Sequence, residues 1–146
     1  EQFHLLLADF GVAEFFPQDT KICKPGVKGT FAYMAPEVFE NMQGPLSDVW
    51  SLGIVVCELL SGKRPFKAQN SFQMFAQLKR KDPDFQTLID ANASEAAVAF
   101  LKHVLVKEQL NRPTAKEALS DTWIVERHNA AQPSLSRSNS RQTRKM

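Results

Sequence analysis

The sequence predicts a mainly α chain with one short strand near its start. Three observations predict it. One is a strongly apolar helical stretch at 49–60, another a series of amphipathic segments downstream of it, and the third a short apolar run at 4–7 that stops at a glycine turn. With 146 residues, 43% hydrophobic and 23% charged, the chain has the composition of an ordinary globular domain and enough length to bury a core.

The elements follow in order. Residues 4–7 form an apolar run that ends in Ala8-Asp9-Phe10-Gly11, which reads as a short buried strand entering a loop. Residues 12–34 hold Pro17, Pro25, Gly26 and Gly29 with no sustained period, so they read as a long loop, and loops beyond ~12–15 residues are usually functional or disordered. Pro36 suits the first turn of a short helix through Glu40, closed by Gly44-Pro45. Ser47 or Asp48 is the expected cap of the helix Val49–Leu60, with Gly62 just past its end. Its apolar residues lie on nearly every face, which predicts burial all round. Further helices are expected at 71–80, 95–106 and, after Pro113, 115–119. Beyond Trp123-Ile124 the composition turns to Ser, Arg, Gln and Asn, and residues 125–146 are expected to be a disordered basic tail.

Charge separates the same two regions. Residues 1–123 hold 13 basic and 15 acidic side chains and residues 124–146 hold 5 and 1, so the net +2 belongs to the tail and the globular part offers no basic surface for nucleic acid. No apolar run approaches the ~20 residues that span a bilayer, so membrane insertion is not expected. Cys23 and Cys57, 34 positions apart with three scattered histidines, form neither a disulfide framework nor a zinc motif, which points to a reducing compartment, cytoplasmic or nuclear. The chain opens on Glu1 rather than Met, straight into Phe3-His4-Leu5-Leu6-Leu7, and reads as a piece of something longer.

One Asp-Phe-Gly is a weak signal by itself. Here Asp9-Phe10-Gly11 precedes Gly29-Thr30-Phe31-Ala32-Tyr33-Met34-Ala35-Pro36-Glu37, then Asp48-Val49-Trp50-Ser51-Leu52-Gly53, Ser61-Gly62-x-x-Pro65-Phe66 and Asn111-Arg112-Pro113. In this order and spacing the set resembles the C-terminal, helical lobe of a eukaryotic protein kinase domain, over about residues 3–124. The layout is most similar to the calcium/calmodulin-dependent and calcium-dependent protein kinases.

The resemblance implies roles for particular residues. Asp9 is the implied ligand of the Mg²⁺ that bridges the phosphates of ATP, with Phe10 and Gly11 setting its pose, Phe10 by packing inward. Thr30, in the Gly29-Thr30-x-x-Tyr33 form, is the implied contact to the catalytic base beneath the acceptor hydroxyl and favours Ser/Thr over Tyr specificity. Glu37 and Arg112 are implied to form a buried ion pair that braces the substrate loop. Asp48 is implied to accept backbone hydrogens from the catalytic loop, and ordinary helix capping would suit it equally well. Thr20 is the activation-loop hydroxyl outside the fixed motif, and a phosphate there would bring about −1.5 to −2 charge near Lys21, Lys24 and Lys28; a merely solvated threonine is the plainer reading. Cys23 is expected to be inert. Arg137-Ser138-Asn139-Ser140 fits the arginine-three-before-serine pattern of basophilic kinases, although a solvated charge run explains the tail as well.

The family's Gly-rich loop, lysine, glutamate and His-Arg-Asp loop do not occur in this sequence, so the N-terminal lobe and the catalytic base are absent from it. Two functions are therefore carried forward. The first is a fragment of a Ser/Thr protein kinase whose complete chain uses ATP and Mg²⁺ on protein substrates, the fragment alone being inactive. The second is a non-catalytic lobe that acts as a protein-binding or decoy module. No calcium-binding Asp-x-Asp-x-Asp-Gly loop is present, so a calcium-sensing regulator would lie outside this chain.

Overall fold

The computed structural model describes residues 6–17 and 20–131, with side chains through Glu126. His4 and Leu5 of the expected strand, and Arg137, Ser138 and Ser140 of the tail, lie outside the described residues. Seven helices carry the described chain: α1 (Pro36–Phe39), α2 (Pro45–Ser61), α3 (Ser71–Arg80), α4 (Gln86–Asp90), α5 (Glu95–Val104), α6 (Ala115–Ala118) and α7 (Thr122–Ala131), with a 3₁₀ turn at Gln109–Asn111. The mainly α expectation therefore describes the molecule.

Helix α2 is the element around which the rest is built. It packs against α4, α5 and α6, while α1 meets α3 and α5 meets α7. Trp50, Ile54 and Cys57 of α2 are buried with Leu88 of α4 and Leu101 and Val104 of α5. Gly53 allows α5 its close approach, because a Cβ there would stand 2.8 Å from Leu105 Cδ2 and 3.0 Å from Val104 Cγ2. Trp50 stacks on Phe66 with centroids 6.1 Å apart, and Phe100 meets Trp123 in a tilted pair at 5.2 Å. Local signals set the helix ends. Asn70 Oδ1 accepts from Gln73 N, Ser94 Oγ from Ala97 N and Thr114 Oγ1 from Glu117 N, and Gly62 closes α2 in the left-handed conformation at φ 68°.

Several expectations are corrected. Helix α2 begins at Pro45, a turn before Val49, with Gly44 as its cap; Pro at the first position lacks only an amide hydrogen that would be unpaired there anyway. Ser47 and Asp48 thus lie inside the first turn, and Gly44 N donates to Ser47 Oγ. Burial of α2 is one-sided, since Leu52 and Leu59 are 57% and 79% exposed and Val55 stands beside them, on a face that no described element covers. Leu6 and Leu7 are exposed and form no strand, because a ladder needs a neighbour and none of the described strands pairs with them. The long loop instead contributes β1 (Lys24–Pro25), which pairs antiparallel with β2 (Met42–Gln43) between α1 and α2, Lys24 opposite Gln43. Helix α5 stops at Val104 rather than Val106, where Leu105 leaves helical geometry. Order also continues past residue 125: Asp121 Oδ1 accepts from Trp123 N, Trp123 anchors on Phe100, and α7 runs on through Ala131.

Candidate functional site

The Asp9 segment, the Gly29–Met34 turn and the N-terminal ends of α2 and α6 enclose a cavity of about 710 Å³. Asp9, Phe10, Thr20, Gly29, Thr30, Tyr33 and Asp48 all line it. Asp9 stands at φ 64°, a left-handed conformation that aspartate tolerates by bonding its own backbone; here its Oδ1 accepts from Gly11 N at 3.4 Å. Its carboxylate is otherwise without a partner among the described residues and faces the open space. Gly29 at φ 111° turns the chain into Thr30, and Tyr33 N then donates to Thr30 O at 3.0 Å. Ser51 Oγ of α2 donates to Tyr33 O at 2.9 Å, and Tyr33 OH donates to Glu58 Oε2 at 2.9 Å, so the turn is tied to α2 at two levels. The Glu58 carboxylate holds the Tyr33 hydroxyl above its ordinary value, since it accepts the proton that ionisation would remove. Partial desolvation at the base of α2 raises the Asp48 carboxyl in the same sense, although the residue keeps an exposed edge.

Beneath the turn, Arg112 and Glu37 meet across 75 positions. Arg112 Nη1 donates to Glu37 Oε1 at 2.8 Å and Nη2 to Oε2 at 3.1 Å, a bidentate fork. Arg112 is fully buried, and its remaining donors reach Leu46 O at 2.6 Å and Val106 O at 3.2 Å while the guanidinium stands 5.1 Å from the Trp50 ring. Ser47 Oγ donates to Glu37 Oε1 at 2.8 Å. The charge is thus paired and hydrogen-bonded, the condition under which a buried ion survives. The pair fixes α1, and with it the end of the Gly29–Glu37 loop, to the base of α2.

A second attachment was not legible beforehand. Lys21 Nζ donates to Leu110 O and Arg112 O, and Gln109 Nε2 donates to Cys23 Sγ, so residues 21–23 are strapped to the 3₁₀ turn. Contacts between positions nearly 90 residues apart leave no periodic trace in a sequence. Lys24 donates to Phe15 O and stands over the Phe16 ring, and Lys28 pairs with Glu14 at 2.9 Å. Each lysine flanking Thr20 therefore already has a partner, and Thr20 Oγ1 accepts from Ile22 N. Phe10 is 68% exposed, against the expectation that it packs inward, because no apolar element lies over it among the described residues. Cys23 is half-buried, and desolvation raises its thiol.

Chemically, the cavity offers two carboxylates with open lone pairs, Asp9 and Asp48, a threonine hydroxyl and a braced loop. No cluster of three or more His, Cys, Asp or Glu able to hold a metal occurs among the described residues. The Asp9 carboxylate fits Mg²⁺, which is commonly bound through one or two carboxylates together with phosphate oxygens and water.

Comparison with known proteins agrees with this layout. Residues 1–124 match the family model described as the protein kinase domain. The chain is 33% identical over 126 residues to CDPK-related kinase 1 of Arabidopsis thaliana, covering 86% of this chain and 22% of that protein. It is 35% identical over 126 residues to calcium-dependent protein kinase 24 of Oryza sativa subsp. japonica, covering 86% and 24%. The chain thus spans less than a quarter of the length of these relatives. Among solved structures it is similar to Rad53 1-466 in complex with AMP-PNP, with a TM-score of 0.60 and 38% identity, covering 66% of this chain and 26% of that one.

Proposed function

This chain belongs to the protein kinase domain family, and on that premise we propose that it is part of a Ser/Thr protein kinase whose complete chain transfers the γ-phosphate of ATP to protein hydroxyls. The observation that carries the reading is the convergence of Asp9, Thr30 and Asp48 on one cavity, over a loop braced by Glu37 and Arg112. In this reading Asp9 holds Mg²⁺, which when bound neutralises charge on the nucleotide's phosphates. Thr30 positions the catalytic base beneath the acceptor hydroxyl. Asp48, at the cavity's edge, receives backbone hydrogens from the loop that carries that base. The Glu37–Arg112 pair keeps the substrate loop from shifting, and Thr20 is the regulatory phosphate acceptor. Base and nucleotide lobe come from elsewhere in the parent chain, so the 146-residue chain alone is inactive. A calcium-responsive regulator outside this chain accords with the names of its relatives. The two free cysteines suit a reducing cytoplasmic or nuclear setting.

The test is phosphate transfer from γ-labelled ATP by the complete parent protein. Asp9→Asn should lower transfer at least about a hundredfold, the scale lost when one charge-stabilising group leaves a reaction centre, and the 146-residue chain alone should transfer none. A parent that keeps its activity with Asn at position 9 would overturn the assignment. A second reading, a non-catalytic lobe that binds proteins, is favoured by the uncovered Leu52, Val55 and Leu59 face of α2; a parent chain with no transfer activity would select it.

A further inference from the structure

We propose that Lys21 is a positioning residue for the Gly29–Glu37 loop: it anchors the upstream end of that loop on the backbone carbonyl of Arg112, the same residue whose guanidinium anchors the downstream end through Glu37. That the loop receives an acceptor hydroxyl rests on the kinase reading; the anchoring does not. Half-buried Lys21 donates through Nζ to Arg112 O at 3.2 Å and to Leu110 O at 3.4 Å, and Glu117 Oε2 stands 3.9 Å away. Two of its three hydrogens thus go to carbonyls at the end of the 3₁₀ turn, where a cation is favourable, and the nearby carboxylate balances its charge.

The receiving side is itself fixed. Arg112 N donates to Gln109 O at 3.0 Å to close the turn, the Arg112 side chain is fully buried, and Glu117 is held by the α6 cap, where it accepts from Thr114 N at 2.7 Å. Lys24 and Lys28 act differently, since they bond Phe15 O and Glu14 within their own segment, whereas Lys21 ties that segment to the helical body. After Lys21 the chain has little freedom before the turn: Cys23 Sγ accepts from Gln109 Nε2, Lys24–Pro25 pairs with Met42–Gln43, and Gly26 N donates to Asn41 O at 3.1 Å. The segment leaves residue 112 at Lys21 and returns to it at Glu37, with Gly29, Thr30 and Tyr33 between. Losing the Lys21 ammonium removes one anchor and leaves the Glu37 fork, Asp9 and Thr30 in place. It should therefore weaken the hold of the loop on a protein substrate without touching the reacting groups.

Two measurements test this on Lys21→Met, Lys21→Arg and Lys81→Met, the last removing an exposed cation at the end of α3. Amide hydrogen exchange of the 146-residue chain reads the anchor directly. The Gly26 amide should exchange about fivefold faster in Lys21→Met, the scale of one net hydrogen bond. The amide of buried Leu105, bonded to Leu101 O, should keep its rate, and Lys21→Arg, which retains charge and donors, should restore that of Gly26. In the complete protein, Lys21→Met should raise KM for a protein substrate about fivefold, by the same loss of one net hydrogen bond, with kcat and the KM for ATP unchanged; arginine should again rescue it, and Lys81→Met should have no effect. Unaltered Gly26 exchange in Lys21→Met, or an equal change in Lys81→Met, would overturn the anchor. A fall in kcat in place of the rise in KM, or no rescue by arginine, would overturn the positioning role. A complete protein that transfers no phosphate defeats the kinase reading instead, and the exchange rates then decide by themselves whether Lys21 anchors the loop.

Discussion

Replacing Glu37 with glutamine should destabilise the chain by about 3–5 kcal/mol, the usual consequence of stranding one member of a buried ion pair. The structure shows why the upper range applies. Arg112 is fully buried, and two of its four closest acceptors are the two Glu37 oxygens, at 2.8 and 3.1 Å. Glutamine keeps one oxygen and no charge, so the guanidinium would face only the Leu46 and Val106 carbonyls and a single amide oxygen, and Ser47 Oγ would lose its charged acceptor. Against a total stability of about 5–15 kcal/mol this is a large share. At roughly 2–4 °C per kcal/mol for a domain near this size, the midpoint of melting should fall by roughly 6–20 °C. The assay is urea unfolding followed by the fluorescence of Trp50 and Trp123. A companion variant, Glu37→Leu with Arg112→Met, removes both charges together and should be more stable than either single replacement. A loss under about 1 kcal/mol in Glu37→Gln, or a double-variant loss equal to the sum of the singles, would refute the reasoning, since a buried coupled pair cannot be additive.

Two further outcomes follow from the titrating groups. Hydrogen bonds from the Thr114 backbone and hydroxyl hold the Glu117 carboxyl below its ordinary 4.5. A depressed folded value means that the stabilisation is present above 4.5 and is lost as the pH falls through the folded value, so Glu117→Gln should be less stable than the parent sequence near neutral pH and converge with it in acid; a gap that persists unchanged in acid would contradict this. Burial pushes the Cys57 thiol up to about 12 and raises Cys23 as well, so iodoacetamide near neutral pH should leave Cys57 unlabelled and Cys23 slowly labelled in the native chain, with both labelled in urea. Rapid native labelling of Cys57 would show that α2 is not packed as described.

Much of the helical layout was legible because it rests on local signals. The amphipathic segments at 71–80 and 95–106 mark α3 and α5, Pro113 precedes α6, and Gly62 marks the end of α2. The structure departs from the sequence pattern where a local signal is compatible with two conformations. Gly44-Pro45 can end one helix or begin the next, and the base of α2 shows that it begins one. An all-round apolar pattern speaks of what a helix could bury, while exposure depends on which neighbours exist, so Leu52 and Leu59 stand uncovered.

The sequence by itself determined the helical class, the glycine that ends α2, and the order of motifs that places Asp9, Thr30, Glu37, Asp48 and Arg112 in one family pattern, since these depend on residues a few positions apart or on their succession along the chain. Tertiary structure alone decided which side chains share a space: that Asp9 and Asp48 line one cavity, that Lys21 and Cys23 strap their loop to residues 109–112, and that Tyr33 reaches Glu58. The reason is physical. Hydrogen bonds and charge pairs are short-ranged and directional, so contacts between distant positions exist only once packing of α2 against its neighbours has brought them together.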